Sequence, residues 1–240
     1  MTKHALVSFT TILAGWGAAG CSSSNSNGDG GSSGWVLTSP AFADGAALPT
    51  SATCEGKAFG TGESPEFDWT SGPSGTQSYA LVFKDLSILA MDAAATLDHA
   101  YHWAIWDIPA SVHQLPANLS GAEFPTDVPG ARQWSSVNPF GYLGACPNPV
   151  PPDADAGAAP PPVTDNYSFT LYAINVPILA YPPDPSAGDN YVHPLDDYLL
   201  GHNIGTTLLH ATSNAAATSF TPPAAPPGPS PRGGDGSAGN

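Results

Sequence analysis

The chain has 240 residues, of which 26 are Gly and 27 are Pro; only 10% carry charge, and acidic side chains outnumber Lys and Arg 20 to 5. Scarce charged helix formers argue against a coiled coil or helical bundle, and scarce cations argue against the phosphate contacts of a nucleic-acid binder. The apolar share of 41% and aromatic share of 10% suffice to bury a core, so part of the chain folds.

Residues 1–20 read as an export signal, with Lys3 and His4 as a short basic start, an apolar run over 5–14 and small residues over 15–20. The apolar run is shorter than the ~20 residues that span a bilayer. Small residues ahead of Cys21 resemble a bacterial lipobox, which implies cleavage before Cys21 and lipid on its sulfur. Ser22 is compatible with sorting to the outer membrane; a periplasmic or secreted protein is the alternative. Residues 21–34 form a flexible tether of Ser, Asn and Gly. The folded domain is expected over 35–214, with a Pro- and Ala-rich loop insertion at 148–164 and a disordered Pro- and Gly-rich tail at 215–240.

Inside the domain, short runs rich in aromatic and β-branched residues predict strands over 35–42, 67–69, 78–84, 101–108 and 167–174. The run 79–83 is apolar throughout, which requires cover on both faces of its sheet. A helix is expected over 195–210: Pro194 suits its first turn, Asp196 and Asp197 complement the positive end of its dipole, and Leu195, Tyr198, Leu199 and His202 share a face. The fold class is mainly β, with two packed sheets, antiparallel strands and a few helices. With Cys21 assigned to lipid, Cys54 and Cys146 remain, either as a disulfide in an oxidising compartment or as two buried thiols.

Common nucleotide, zinc and serine-hydrolase motifs are missing from the sequence. Three clusters stand out instead. Asp85 ends a strongly apolar strand, where a carboxylate needs a donor, a rim or a ligand. His102 stands beside Trp103 near the start of another apolar strand, just after Asp98 and His99. Residues 141–147 (GYLGACP) combine constrained residues with an aromatic, a composition that builds a rigid wall of exposed backbone amides. His113, His193, His202 and His210 are too scattered for a metal site.

The order Ser64-Pro65-Glu66-Phe67-Asp68-Trp69, Asp85, His102-Trp103 followed by Asp107-Ile108-Pro109-Ala110, Gly144-Ala145-Cys146-Pro147, and Tyr167-Ser168-Phe169-Thr170-Leu171-Tyr172-Ala173 resembles the phosphatidylethanolamine-binding protein family. It is most similar to the bacterial Raf-kinase-inhibitor-like branch, with its SPxLxW, DPDAP, HW and NIPA, GPCPP and HxYxFxLYA segments; Thr53-Cys54-Glu55-Gly56 also resembles that branch's TCDG. The resemblance spans about 35–210. It implies a central sheet packed on a smaller one, a few helices, and a small cavity for anions such as phosphate, acetate or a phospholipid head group.

Carried over by motif, Asp85 matches the first Asp of DPDAP, His102 the pocket histidine, Gly144 the glycine of GPCPP, and Tyr167 the tyrosine of the last motif. An imidazole donor, a phenol and backbone amides of 144–146 would share an oxyanion, while Asp85 would hold an amine or orient His102. Two departures change the chemistry. Asp85-Leu86-Ser87-Ile88-Leu89 lacks the second carboxylate and both prolines of DPDAP, and Asp165 stands where HxY has its histidine, so a cationic or neutral polar group suits the site as well as an anion.

The expected function is that of an exported protein binding a small polar ligand at Asp85, His102, Gly144 and Tyr167, without cofactor or metal, and touching the membrane only through its lipid. The alternative is an extracellular interaction module, resembling a protease inhibitor, with a degenerate pocket and a protein partner. A hydrolase built on Asp85 and His102 lacks an evident nucleophile.

Overall fold

The computed structural model describes residues 34–91, 97–136, 140–149, 161–180 and 192–220. Along these segments lie β1 (Leu37–Thr38), β2 (Phe67–Trp69), β3 (Ser78–Asp85), α1 (Leu86–Leu89), β4 (Tyr101–Pro109), β5 (Gln114–Leu115), β6 (Arg132–Ser135), β7 (Asp165–Ile174), α2 (Val192–His202) and β8 (Asn203–Ser213). A five-stranded sheet runs β6-β4-β3-β7-β8 and a three-stranded sheet runs β1-β2-β5, antiparallel at every pairing.

The apolar run in β3 has the two-sided cover that its composition requires. Tyr79, Leu81 and Phe83 point into the larger core, between the sheets, with Leu37, Phe67, Trp69 and Leu115 of the small sheet. Ala80 and Val82 point the other way, onto Val192, Leu195 and Leu199 of α2. The result is three layers: small sheet, large sheet, helix. At ~25 cal/mol per Å2 of apolar surface removed from water, each fully buried aromatic or Leu contributes roughly 1.5–3 kcal/mol to holding them together.

One polar device ties α2 to the sheet. The Lys84 ammonium bonds both oxygens of Asp196, at 3.2 and 3.0 Å, and the Tyr172 hydroxyl donates to Asp196 Oδ1 at 2.6 Å. Burial and the Asp196 charge hold the Tyr172 phenol well above its ordinary pKa, so it stays a donor.

The predicted helix over 195–210 is corrected by the structure, which ends α2 at His202 and continues as β8. Asn203 Nδ2 donates to the carbonyls of Leu199 and Leu200, satisfying two groups that a helix terminus leaves open. Beyond it the pattern has period two: Leu209, Ala211 and Ser213 are buried while Thr206, Leu208 and His210 are exposed. Gly205 is a close-approach residue of that strand, where a Cβ would meet Pro73 Cγ at 2.8 Å.

The other strand boundaries shift for local reasons. The run 35–42 pairs only at Leu37–Thr38, because Pro40 has no N–H and the Ser39 hydroxyl is taken up by the Glu66 carbonyl and the Ala41 amide. The short strands β5 and β6 were not expected, and β7 begins two residues early, at Asp165. The ordered chain also runs past 214. Ala215 and Ala217 are buried against Cys54 and Cys146, and Phe220 stacks on Phe59, so 215–220 is packed where a disordered tail was expected. Cys54 and Cys146 are disulfide-bonded, with Cα atoms 5.3 Å apart. The signal, Cys21 and the tether through Ser33, most of the 148–164 insertion and 221–240 lie outside the described residues.

Candidate functional site

Three neighbouring strands and one loop bring the four candidate residues to the inner face of the large sheet. Asp85 ends β3 directly opposite Tyr167 of β7. Asp165 precedes Tyr167 by two positions on β7 and therefore shares its face. His102 arrives through an irregularity: Phe83 pairs with Trp103 and Lys84 with Tyr101, leaving His102 as the extra residue of a bulge. A bulge re-aims a side chain. Here it turns His102 inward, edge-on to Tyr167 with ring centroids 5.6 Å apart and tilted over Phe83 at 4.9 Å.

Gly144 comes from the loop after β6. Its Cα lies so close to neighbouring backbone that a Cβ would fall 2.3 Å from the Thr61 carbonyl oxygen, and Gly62 opposite has the same constraint, with Gly144 Cα 2.7 Å from its own absent Cβ. Two facing glycines let the 53–62 and 142–146 segments touch, and the disulfide and a Thr53–Ala145 bridge lock them together. Tyr142 completes the wall, stacked on Phe83 and bonded through its hydroxyl to the Ala52 carbonyl. The sequence motif pointed to Gly144, but nothing in it pointed to Gly62.

The electrostatics follow from burial. His102 is 7% exposed, and desolvation lowers its pKa to about 4. Hydrogen bonding with the backbone of Leu143 and Gly144 works in the opposite direction, and the charge of His99 adds to the lowering. The imidazole is neutral at physiological pH. Because a backbone contact that raises its pKa accepts a ring N–H, and Nδ1 has no hydrogen-bond partner, Nδ1 is left as a bare acceptor.

Asp85 is 1% exposed. Desolvation raises its pKa to about 6, and the charge of Asp165 adds to this. The Ile88 amide, donating to Oδ1 at 3.0 Å as the cap of α1, pulls the other way. Asp165 is half-buried and also raised, by desolvation, with contacts to Ser87 and Asp85 easing the shift. The Tyr167 hydroxyl is buried and close enough to Asp85 to alter its proton affinity, yet it completes no well-formed hydrogen bond. Desolvation and both carboxylates push its phenol far above its ordinary pKa, so it keeps its proton.

The structure thus brings Asp85, His102, Gly144 and Tyr167 together and adds Asp165, known from the sequence only as a departure from a motif. Among the described residues no three His, Cys, Asp or Glu side chains are grouped to hold a metal ion. The Ser87 hydroxyl accepts from the Asn166 amide and serves the loop, with no bond to His102.

Residues 38–214 match the family described as phosphatidylethanolamine-binding protein. A UPF0098 protein of Aquifex aeolicus is 29% identical over 151 residues, covering 63% of this chain and 74% of its own length. The candidate lipoprotein LppC of Mycobacterium tuberculosis is 33% identical over 148 residues, covering 62% of this chain and 59% of that protein. The crystal structure of Escherichia coli YbcL, described as a new member of the mammalian PEBP family, aligns at a TM-score of 0.52 and 26% identity, over 75% of this chain and 98% of that one. A Chlamydia trachomatis homologue, CT736, shares the fold at the same TM-score and 21% identity.

Proposed function

The chain belongs to the phosphatidylethanolamine-binding protein family, and from that premise we propose that it is an exported, lipid-anchored protein that binds a small polar ligand at Asp85, His102, Gly144 and Tyr167. The observation that carries this reading is the bulge at His102. It places an imidazole with an unpartnered nitrogen against an unpartnered phenol and a capped carboxyl, on a wall that two glycines hold rigid. Buried polar atoms without partners are costly, at ~1–3 kcal/mol each, and a ligand that supplies the missing bonds offsets that cost. Export is supported by the signal-like start and by the disulfide, which is a feature of oxidising compartments. A relative described as a candidate lipoprotein supports the anchor at Cys21.

Two measurements test this. Calorimetry with phosphate, acetate, ethanolamine and phosphoethanolamine should show saturable binding of at least one, weakened tenfold or more in His102→Ala. Silence from all four, or binding indifferent to the substitution, overturns the ligand reading. Mass spectrometry of envelope-bound protein should find diacylglyceryl on Cys21, and Cys21→Ala should release the protein from the membrane.

A second reading rests on the near-complete closure of the site, with Asp85 1% and Tyr167 0% exposed. A family member that keeps the fold while its pocket is shut would act through its surface, as an extracellular interaction or protease-inhibiting module. Co-purification of a protein partner from the envelope, undisturbed by His102→Ala, is the outcome that favours it.

A further inference from the structure

The end of the sandwich farthest from the candidate site has a surface of its own. Ser78 at the start of β3 faces Pro109 at the end of β4 and Ile174 at the end of β7, and Ile174 faces Asn203 at the start of β8. Asp85 lies at the other end of β3, ~23 Å away at 3.3 Å per residue. The loops beyond these strand ends are knit together: Gln77 Nε2 donates to the Asn175 carbonyl, the Ser78 hydroxyl to the Val176 carbonyl, and the Gly72 amide to the Tyr79 hydroxyl. Five large apolar side chains stand out at this end, Val36, Val176, Ile178, Leu200 and Ile204, between 37 and 71% exposed; they are half of the ten such side chains exposed among the described residues. The same end is without exposed charge. Residues 70–77, 109–118, 174–180 and 199–206 contain no Asp, Glu, Lys or Arg, and Asp107, the only acid within three positions of those four strand ends, is buried and accepts from the Leu179 amide. Gly34, the first described residue, enters here, its carbonyl accepting from the Thr70 hydroxyl.

Resting on the anchor reading above, we propose that this end of the sandwich lies against a phospholipid bilayer, with Val36, Val176, Ile178, Leu200 and Ile204 dipping into its interface. Two features select a lipid surface as the occupant. The first is where the chain enters. Cys21 precedes Gly34 by 13 residues (34 minus 21), at most ~45 Å of extended chain, and Gly34 sits on this end, so the shortest path from the anchor to the domain arrives beside these side chains. The second is charge. Anionic lipids repel Asp and Glu, and a chain of formal net charge −15 comes close to them most easily through a face that carries neither. A bilayer interface also takes aliphatic side chains out of water without the matched shape that a protein partner has to supply. In this orientation the cluster of Asp85, His102 and Tyr167 is on the side away from the bilayer, and its ligand comes from the aqueous phase.

The test is hydrogen–deuterium exchange, read by mass spectrometry, on the disulfide-intact mature protein held on vesicles of phosphatidylethanolamine and phosphatidylglycerol by the lipid of Cys21. Where that thiol proves unmodified it is coupled to a maleimide lipid, since the bond between Cys54 and Cys146 leaves it the only thiol. Against the same protein free in solution, amide exchange in 70–77, 109–113 and 174–179 should slow at least threefold on the vesicles, while 85–89 and 142–146 keep their rates. Val176→Asp with Ile178→Asp, at two exposed positions, should abolish the slowing and leave Tm unchanged. No slowing at this end, slowing at 85–89 instead, or slowing that survives the double substitution overturns the proposal. Slowing that appears only as protein density on the vesicle rises points to a second copy on this face and overturns it too. An unmodified Cys21 in envelope-bound protein refutes the anchor alone, because the coupled chain still reports whether this face meets lipid.

Discussion

Replacing Asp85 by Asn should stabilise the protein at neutral pH and change its stability little in acid. Burial raises the Asp85 carboxyl from 3.8 to about 6, so the native protein holds that proton more tightly than the unfolded chain does. Between pH ~4 and ~6 the native state therefore binds the extra proton, and stability falls as pH rises through this window. At 1.36 kcal/mol per pKa unit the effect totals ~3 kcal/mol. Asparagine keeps the shape and the oxygen that caps α1 at Ile88, and removes only the titration. His102 acts with the opposite sign. Its pKa falls from 6.5 to about 4, so the unfolded chain binds the extra proton and stability rises with pH from ~4 to ~6.5, again by ~3 kcal/mol. The two effects nearly cancel in the wild type, so difference curves are needed to see either. Urea unfolding followed by tryptophan fluorescence at half-unit steps from pH 3.5 to 7.5 supplies them. The Asp85→Asn minus wild-type difference should grow by ~3 kcal/mol from acid to neutral pH, and the His102→Gln difference should grow by a similar amount in the reverse direction. Difference curves that stay flat across that range, whatever their constant offset, would refute burial as the cause of either shift.

Further predictions concern the wall and the layers. Gly144→Ala drives a Cβ to 2.3 Å from the Thr61 carbonyl, where backbone has to move, and should cost ~3 kcal/mol, read as a lowered Tm in thermal unfolding. Removing the disulfide as Cys54→Ala with Cys146→Ala opens a loop spanning 92 residues and should cost ~4 kcal/mol, measured as a shift of the urea midpoint that reductant reproduces in the wild type. Lys84→Met leaves the Asp196 carboxylate buried with only Tyr172 as partner and should cost ~3–5 kcal/mol, while adding Asp196→Leu should recover most of that loss.

Strands with unambiguous composition were legible in the chain. Phe67–Trp69 and the body of β3, β4 and β7 follow from aromatic and β-branched runs bounded by turn residues. The segment 195–210 was not, because Leu195, Leu199 and His202 carry helical spacing up to the point where Leu209, Ala211 and Ser213 take over with period two. Gly205 is constrained by contact with Pro73 and Trp35, which are far away along the chain and give no local signal. The same limit hid β5 and β6, whose few residues hold a strand only because β2 and β4 already present an edge to them. Ala215 and Ala217 read as tail because alanines carry little burial signal until a disulfide offers them a surface.

The site divides along the same line. Asp85, His102, Gly144 and Tyr167 were identified by motif, and the register of β3 with β7 and the bulge in β4 account for their convergence. Their protonation states could not be derived from the motif, because these depend on burial and on which cations are engaged elsewhere. Lys84 is the clearest instance. In the sequence it neighbours Asp85, but successive residues of a strand point to opposite faces, and Lys84 pairs with Asp196 of α2 on the other side. The alternation that gives the large sheet two cores therefore also strips Asp85 of its nearest cation, while the substitution that puts Asp165 in place of a histidine removes the next one. A net acidic composition alone would not produce this, since surface acids are screened by water and salt. It matters here because the sheet delivers two of those acids to one place, Asp85 closed off from solvent and Asp165 half-buried, with no described Lys or Arg beside them.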